Sequence, residues 1–193
     1  GTCSSLLSLG YSPLELLATP IIYHQLELPI FEQILRNFQA TSNTENAMCK
    51  ILEIVAAFGS VDIWNSATSG FSKNSLLHVT NKKGQTLLML AALHCNTVVV
   101  SNFKEKLSKE EFENFVSVKN KNGDTALHCA CMKGDLATVR LLCESAETCL
   151  IVNNTGQNAA YEAWCRAHCE VVYYLRKNFS SPLIKYKREL RTE

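Results

Sequence analysis

The sequence lacks long apolar runs and an excess of charge of one sign. No stretch of about 18 consecutive apolar residues occurs in the 193-residue sequence, so no segment is predicted to span a bilayer. The 19 basic and 18 acidic residues give a net charge of +1, which creates no overall attraction to nucleic acid or to a membrane surface. These absences disfavour an integral membrane protein and a nucleic-acid-binding protein.

Two further signals are missing. No glycine-rich run precedes a Lys-Ser or Lys-Thr pair, so a phosphate-binding loop is not predicted. Residues 1–6 have no basic residue ahead of an apolar core and no initiating Met. We therefore expect the sequence to begin within a longer protein rather than at a signal peptide.

Cysteine is abundant, but its pattern does not indicate a disulfide framework. Nine is an odd number, which excludes complete pairing within the chain. Cys129 and Cys131 flank Ala130 in an apolar helical pattern and are predicted to be small buried side chains. A reducing, intracellular compartment fits this usage best.

The cysteines and histidines do not form a recognisable chemical site. Cys165, His168 and Cys169 are the tightest cluster, yet their spacing differs from that of paired zinc ligands. His94-Cys95 and His128-Cys129 are adjacent in sequence, but neighbouring side chains on a helix point in different directions. We therefore expect no metal, no cofactor and no thiol-based catalytic site.

A turn pattern recurs along the second half of the chain. Asn120-Lys121-Asn122-Gly123 aligns with Asn153-Asn154-Thr155-Gly156 at an interval of 33 residues, and Asn81-Lys82-Lys83-Gly84 precedes it by 39. Each glycine supplies a turn conformation that other residues adopt at a cost. Thr86, Thr125 and Asn158 are predicted N-caps of the helices that follow.

The helices after these turns are predicted in pairs. The inner helices cover residues 87–94, 126–133 and 159–166, and the outer helices cover 96–106, 135–144 and 168–177. The first interval carries about six surplus residues around 104–115, a charged, helix-favouring segment. We expect there a lengthened outer helix or a short additional one.

Residues 120–144 combine a turn glycine, a Thr cap, Leu127-His128 on a small-residue helix, Gly134 and a Val-x-Leu-Leu outer helix. This order resembles an ankyrin repeat, and the copies on either side are divergent members of the same pattern. Met89 stands in the histidine position of the first copy, and Cys95 replaces its second glycine. The resemblance implies that His128 joins adjacent turns by hydrogen bonds, and it implies an all-α solenoid.

The predicted fold class is all-α, an ankyrin-repeat solenoid with an N-terminal helical extension. The predicted parts are an N-terminal helical region or divergent cap (1–78), a repeat with an insertion (79–118), a central repeat (119–151), a divergent C-terminal repeat (152–180) and a basic tail (181–193). Stacking is required because a single repeat cannot bury its apolar face alone.

The N-terminal region is predicted to be mostly helical, with a capped start at 12–17 and amphipathic helices at 28–38 and 45–58. It is either a divergent helix pair or cap, with 45–58 packed against the first repeat, or a separate helical adaptor. Leu28-Pro29 and the helix after it faintly resemble the opening of an F-box. Residues 60–75 are predicted to be an irregular loop in which Trp64 and Phe71 are buried anchors or partner contacts, burial being favoured.

The resemblance implies non-enzymatic binding of an intracellular protein partner through the concave face, as a scaffold, a regulator or an effector delivered into a host cell. The alternatives are an F-box-like adaptor and an enzyme whose catalytic part lies in the N-terminal region or outside this sequence. The predicted surface consists of turn tips and exposed inner-helix residues: Gln85, Met89, Leu93, His94, Lys121, Asp124, Met132, Lys133 and Arg166.

Overall fold

A computed structural model describes residues 28–39 and 44–179, and within these ranges the protein is helical, with two isolated β-bridges and no extended strand. The predicted helix start at 12–17 and the predicted basic tail 181–193 lie outside the described residues. None of the described helices is both long enough and apolar enough to cross a membrane.

The described residues form twelve helices. In chain order they are α1 (Leu28–Gln39), α2 (Thr44–Phe58), α3 (Val61–Thr68), α4 (Lys73–His78), α5 (Leu87–Leu93), α6 (Thr97–Lys106), α7 (Lys109–Ser117), α8 (Ala126–Lys133), α9 (Leu136–Leu142), α10 (Ala146–Leu150), α11 (Ala159–Cys165) and α12 (Cys169–Phe179).

These helices stack in two rows. The inner row is α2, α5, α8 and α11, each packed on the next. The outer row is α3, α6, α9 and α12, and its members also contact one another in order. Each inner helix pairs with the outer helix that follows it, so the described chain contains four successive helix pairs. The predicted all-α solenoid is confirmed.

Small side chains allow the inner helices to approach closely. Ala91 and Ala92 of α5, Ala130 of α8 and Ala163 of α11 are all completely buried. Close approach buries the larger apolar groups on both sides of the row, such as Leu127, and adds dispersion contacts. One contiguous core therefore runs from α1 to α12.

The predicted caps are confirmed at the start of three inner helices. The side-chain oxygens of Thr86, Thr125 and Asn158 accept hydrogen bonds from the backbone N–H groups of Met89, His128 and Tyr161, respectively. Each cap satisfies one of the N–H groups that a helix leaves unpaired at its first turn. The cap residues therefore fix where each inner helix begins.

The first helix pair belongs to the same stack. Helix α2 packs on α5, as the first of the two N-terminal interpretations predicts. Asn96, at the start of α6, donates its side-chain amide to the carbonyl oxygens of Ala56 and Gly59, at 3.2 and 3.0 Å. This amide joins the first two pairs.

The prediction of an irregular loop at 60–75 is wrong. Ser60 and Ser72 cap two short helices, α3 and α4, by accepting bonds from backbone N–H groups three residues later. Trp64 lies on α3 with 1% of its surface exposed, and its indole N–H donates to Asn102 at 2.9 Å. Helical burial against α6 overrides the polar composition of the segment, and the favoured burial of Trp64 is confirmed.

The surplus residues in the first repeat form the predicted additional helix, α7, whose first turn has a capping box between Ser108 and Glu111. The next unit has a shorter helix at the same point, α10, which Ser145 caps. At the junction that leads into α10, the buried thiols of Cys143 and Cys149 are in contact, with their Sγ atoms 2.6 Å apart. The insertion therefore enlarges an element that the central repeat also contains.

The turn from inner to outer helix requires a left-handed residue in each of the three later pairs. Gly134 has φ of 73°, whereas Cys95 and Ala167 occupy the equivalent position with φ of 59° and 60°. A Cβ atom at Gly134 would also overlap the ring of His168. Non-glycine residues in this conformation carry a steric cost, so the first and third repeats are strained at a point where the central one is not.

Exchanging these residues should shift stability in opposite directions. We expect Ala167→Gly to raise the free energy of unfolding by about 0.5–1 kcal/mol, because it removes left-handed strain. We expect Gly134→Ala to lower it by about 1–2 kcal/mol or more, because it adds that strain and displaces His168. Urea unfolding followed by circular dichroism would measure both. Equal shifts of the same sign would contradict the strain argument.

Candidate partner-binding surface

Three asparagines shape the turns that precede α5, α8 and α11. The Oδ1 atoms of Asn81, Asn120 and Asn153 each accept two hydrogen bonds from backbone N–H groups two and four residues later, at 2.8–3.1 Å. The glycine in each turn has φ between 72° and 79°. The three turns therefore share one conformation, which a short polar side chain imposes locally.

Neighbouring turns are also bonded to each other. The backbone N–H of Lys121 donates to the carbonyl of Lys83 at 3.1 Å, and that of Asn154 donates to the carbonyl of Asn122 at 3.0 Å. The side-chain amide of Asn154 donates to the carbonyl of Lys121 at 3.0 Å. The turn tips thus form a continuous edge in which each tip is positioned by the one before it.

His128 connects the central turn to the next one. Its Nδ1 accepts from the backbone N–H of Thr125 at 3.3 Å, so its proton lies on Nε2, which donates to the carbonyl of Gln157 at 3.1 Å. The side chain is completely buried. Burial lowers its pKa, against the opposing effects of the Gln157 bond and of the Asp124 and Glu162 carboxylates. The predicted role of His128 in joining adjacent turns is confirmed.

A buried polar cluster lies beside this histidine. The amide of Asn153 donates to Asp124 Oδ1 at 2.9 Å and to Glu162 Oε1 at 3.3 Å. All three side chains are at least 91% buried, and the guanidinium of Arg166 forms an ion pair with Glu162. One amide thus pairs two carboxylates from successive repeats, which fixes the register between them.

Three of the predicted contact residues form a row. His94, Lys133 and Arg166 follow the ends of α5, α8 and α11 or close them, and all three are exposed. The His94 ring lies 4.4 Å from the Phe58 ring, centroid to centroid. Partial burial, together with the nearby Lys133, lowers the pKa of His94. This row is therefore exposed and carries permanent positive charge at Lys133 and Arg166.

The remaining predicted residues differ in accessibility. Lys121 is exposed at the central turn tip, whereas Gln85, Leu93 and Met132 are partly buried. Leu93 and Met132 occupy equivalent positions, each directly before a member of the row described above. The structure thus brings seven of the nine predicted residues to accessible positions on the turns and inner helices.

The family profile described as Ankyrin repeats (3 copies) matches residues 105–185. This part of the chain is an ankyrin-repeat array. The pairing of inner and outer helices continues back to α2, before the first matched residue.

The ankyrin array also resembles solved structures. A chain of the crystal structure of the yeast ribosomal protein Rps3 in complex with its chaperone Yar1 has 27% sequence identity to this protein. The match covers 69% of this chain and 94% of that chain, with a TM-score of 0.60. No curated protein sequence matches the chain.

Two of the predicted contact residues are not accessible, so the expectation that they face a partner is wrong. Met89 is completely buried because it occupies the histidine position of its repeat, which faces the next inner helix. Asp124 is 7% exposed because it accepts the amide of Asn153 across the repeat interface. Both side chains hold the ankyrin array together.

The accessible edge of the array is basic. Exposed lysines lie in or beside the first two turns and at the end of α8: Lys82, Lys83, Lys119, Lys121 and Lys133. Residues 79–85 and 152–157 contain no carboxylate, and the only one in residues 119–125 is the buried Asp124. Sequence analysis named two of these lysines and missed the charge of the edge, because the net charge of the whole chain conceals it.

The last repeat exposes two aromatic side chains that sequence analysis also missed. Trp164 on α11 and Tyr173 on α12 are 55% and 66% exposed. Alignment of the turns could have indicated Trp164, because it stands 33 residues after Cys131, a position that is small and apolar in the central repeat. Large exposed aromatics of this kind are common at protein interfaces.

The thiols are packing residues in the ankyrin array. Cys129 and Cys131 are completely buried, and burial raises the pKa of Cys129 to about 12. Across the described residues, no disulfide joins the cysteines and no three metal-ligating side chains converge on one point. His168, in the cluster considered for zinc, instead makes a 3.3 Å hydrogen bond to the carbonyl of Met132.

The polar cluster predicts an effect of charge. Asn153→Asp keeps the turn acceptor but replaces the bridging amide by a carboxylate beside Asp124 and Glu162. We expect a loss of about 2–4 kcal/mol at pH 7, because three buried carboxylates repel one another, and partial recovery at pH 5 as protons are taken up. Urea unfolding at both pH values would measure the difference from wild type.

Asn81→Asp is the matched control for this substitution. The amide of Asn81 donates to the neutral Gln85 Oε1, so the same change adds a carboxylate without buried charged neighbours. We expect a loss below about 1 kcal/mol, with little pH dependence. If both variants lost the same stability, charge pairing by Asn153 would not be the reason.

His128 predicts a pH dependence of stability. Its folded pKa is lowered from 6.5, so unfolding takes up a proton below that value. Its contribution is complete above the unfolded pKa and is lost as pH falls toward the folded pKa. We expect the urea midpoint of wild type to fall more between pH 7.5 and 5.5 than that of His128→Gln. Parallel pH profiles would contradict this account.

Proposed function

We propose that the protein is a non-enzymatic binding module that holds an acidic surface of an intracellular protein on the turn tips and inner helices of its ankyrin array. The observation that carries this proposal is the basic edge, where exposed lysines stand on turns that are hydrogen-bonded to one another. An interface built on positioned side chains loses little conformational entropy on binding. Positive charge at such an edge speeds association with an acidic partner and selects against basic ones.

The apolar part of this surface comes from Leu93 and Met132. They lie beside His94 and Lys133, so partly buried apolar groups alternate with charged ones along the inner row. Interfaces commonly combine an apolar centre with a charged rim. The structural relative also comes from a protein–protein complex, by its title that of a ribosomal protein with its chaperone.

The other functional classes have less support. A thiol enzyme would need an accessible thiolate of low pKa, whereas the cysteines of α8 are buried and burial raises their pKa values. An F-box-like adaptor would use α1 for recruitment, whereas Phe31 and Leu35 of that helix are buried in the core of the stack. The choice between a cellular regulator and a host-directed effector depends on the partner, for which we propose the cytoplasm or nucleus as the compartment.

The proposal predicts the effect of changing the surface alone. Lys121→Glu, Met132→Ala and Lys133→Glu together should weaken capture of partner proteins from cell extract at least tenfold, since each reversed charge costs about 1 kcal/mol or more at a complementary interface. Quantitative mass spectrometry of affinity-purified material would measure it. Asp124 is left intact because it is buried.

A matched variant tests whether the effect belongs to this surface. Val98→Ala, Lys106→Glu and Lys109→Glu change the same residue types on α6 and α7, where Val98 is 42% exposed. This variant should retain the partners of the wild type. The proposal fails if both triple variants bind alike while both remain folded by circular dichroism.

A further inference from the structure

The C-terminal end of the described stack leaves a stacking face open. Ala92, Cys131 and Trp164 occupy equivalent positions on α5, α8 and α11, since 39 and 33 residues separate them. Ala92 and Cys131 are completely buried, whereas Trp164 is 55% exposed. A position that elsewhere packs small side chains between inner helices therefore presents a large aromatic surface at this end.

A groove runs beside this tryptophan, between α11 and α12. It has a volume of about 670 Å³, and its lining includes Trp164, His168, Val172, Tyr173, Arg176 and Lys177. Val172 is equivalent to Val139, which is completely buried one repeat earlier, yet it remains partly exposed. We refer to these six residues as the end groove.

The end groove is positively charged as well as aromatic. Arg176 and Lys177 are exposed, and neither takes part in an ion pair within the described part of the chain. The Nζ of Lys177 lies 5.6 Å from the ring centroid of Tyr173, where it can interact with the π-face. The carboxylate of Glu162 is already paired with Arg166 and Asn153.

We propose that the end groove is a docking site for an acidic segment of a partner protein, in which an aromatic or leucine side chain packs on Trp164 and carboxylates pair with Arg176 and Lys177. The inference rests on the proposed function as a protein-binding module and adds a second contact surface to it. Buried aromatic anchors surrounded by charged contacts supply much of the affinity in such interfaces. The arginine can also bind a carboxylate in bidentate fashion.

Charge argues against two other occupants. A second copy of the chain stacked end to end would place Arg176 and Lys177 against the same cations. The residues after the described region, 180–193, contain four basic and two acidic residues, so they carry positive charge toward a positive groove. An acidic segment of a different protein is the complement of this surface.

Peptide display tests the proposal directly. A random twelve-residue peptide library is selected on the wild-type chain, with counter-selection on Trp164→Ala. The enriched peptides are expected to carry net negative charge and at least one aromatic or leucine residue. Their affinity should fall about tenfold in the Arg176→Glu, Lys177→Glu double variant and with rising salt. All three substituted side chains are exposed or half-exposed, so the variants should fold.

Fluorescence supplies the second measurement. The chain has two tryptophans, of which Trp64 is 1% exposed and Trp164 is 55% exposed, so acrylamide quenching reports on Trp164. A bound acidic peptide should reduce this quenching, and the same peptide with Lys in place of Asp and Glu should not. Basic or neutral enriched peptides, equal enrichment on Trp164→Ala, or no enrichment would overturn the proposal.

Two controls separate the other occupants and the two surfaces. Concentration-dependent protection of Trp164 without peptide would indicate a second copy, and increased quenching after deletion of 180–193 would indicate the tail; either result overturns the proposal. The Lys121, Met132 and Lys133 triple variant should bind the selected peptides as wild type does. Loss of peptide binding in that variant would place the site on the turn tips and not in the end groove.

Discussion

The close approach of the inner helices is the constraint on which the rest of the structure depends. Helices α2, α5, α8 and α11 contact each other in sequence, and the completely buried alanines between them keep the distances short. No pair could bury its own apolar face, so stability accumulates from one interface to the next. Each interface also needs a polar register, which the Asn153 amide supplies between the central and the last repeat.

The same constraint explains how the surface is divided. Positions that face the next inner helix are lost to packing, which removes Met89, His128 and Cys131 from contact with a partner. The ends of the inner helices and the turn tips remain outside, and there the side chains are basic. A chain with a net charge of +1 thus presents a positive edge because its carboxylates lie elsewhere, many of them on α7 and α10.

Interruption of the stack creates the other accessible surface. The residues of α11 and α12 that would face a further pair include Trp164 and Arg176, which are exposed. Exposed aromatic groups beside unpaired cations are unfavourable to leave in water at a purely structural end. The turn-tip edge and the end groove have charge of the same sign, so both suit acidic partners.

Local rules made much of the helical structure predictable. Cap residues such as Thr125 and left-handed turn glycines such as Gly123 act through hydrogen bonds and sterics within a few residues, so the helix starts and turns follow from neighbouring side chains. The same rules were insufficient at 60–75, where Trp64 is buried by α6 from almost forty residues away. A polar composition does not reveal such a distant partner.

The sequence by itself determined the helix pairs, their caps, the turn conformation and the ankyrin pattern, because these depend on short-range backbone and side-chain chemistry. Only the tertiary structure decided which of the candidate residues are accessible. Asp124 is a surface residue by type, yet it is buried against Asn153, and Trp164 is a core residue by type, yet it is exposed. Exposure depends on which repeat packs next to a position, and that is a property of the stack.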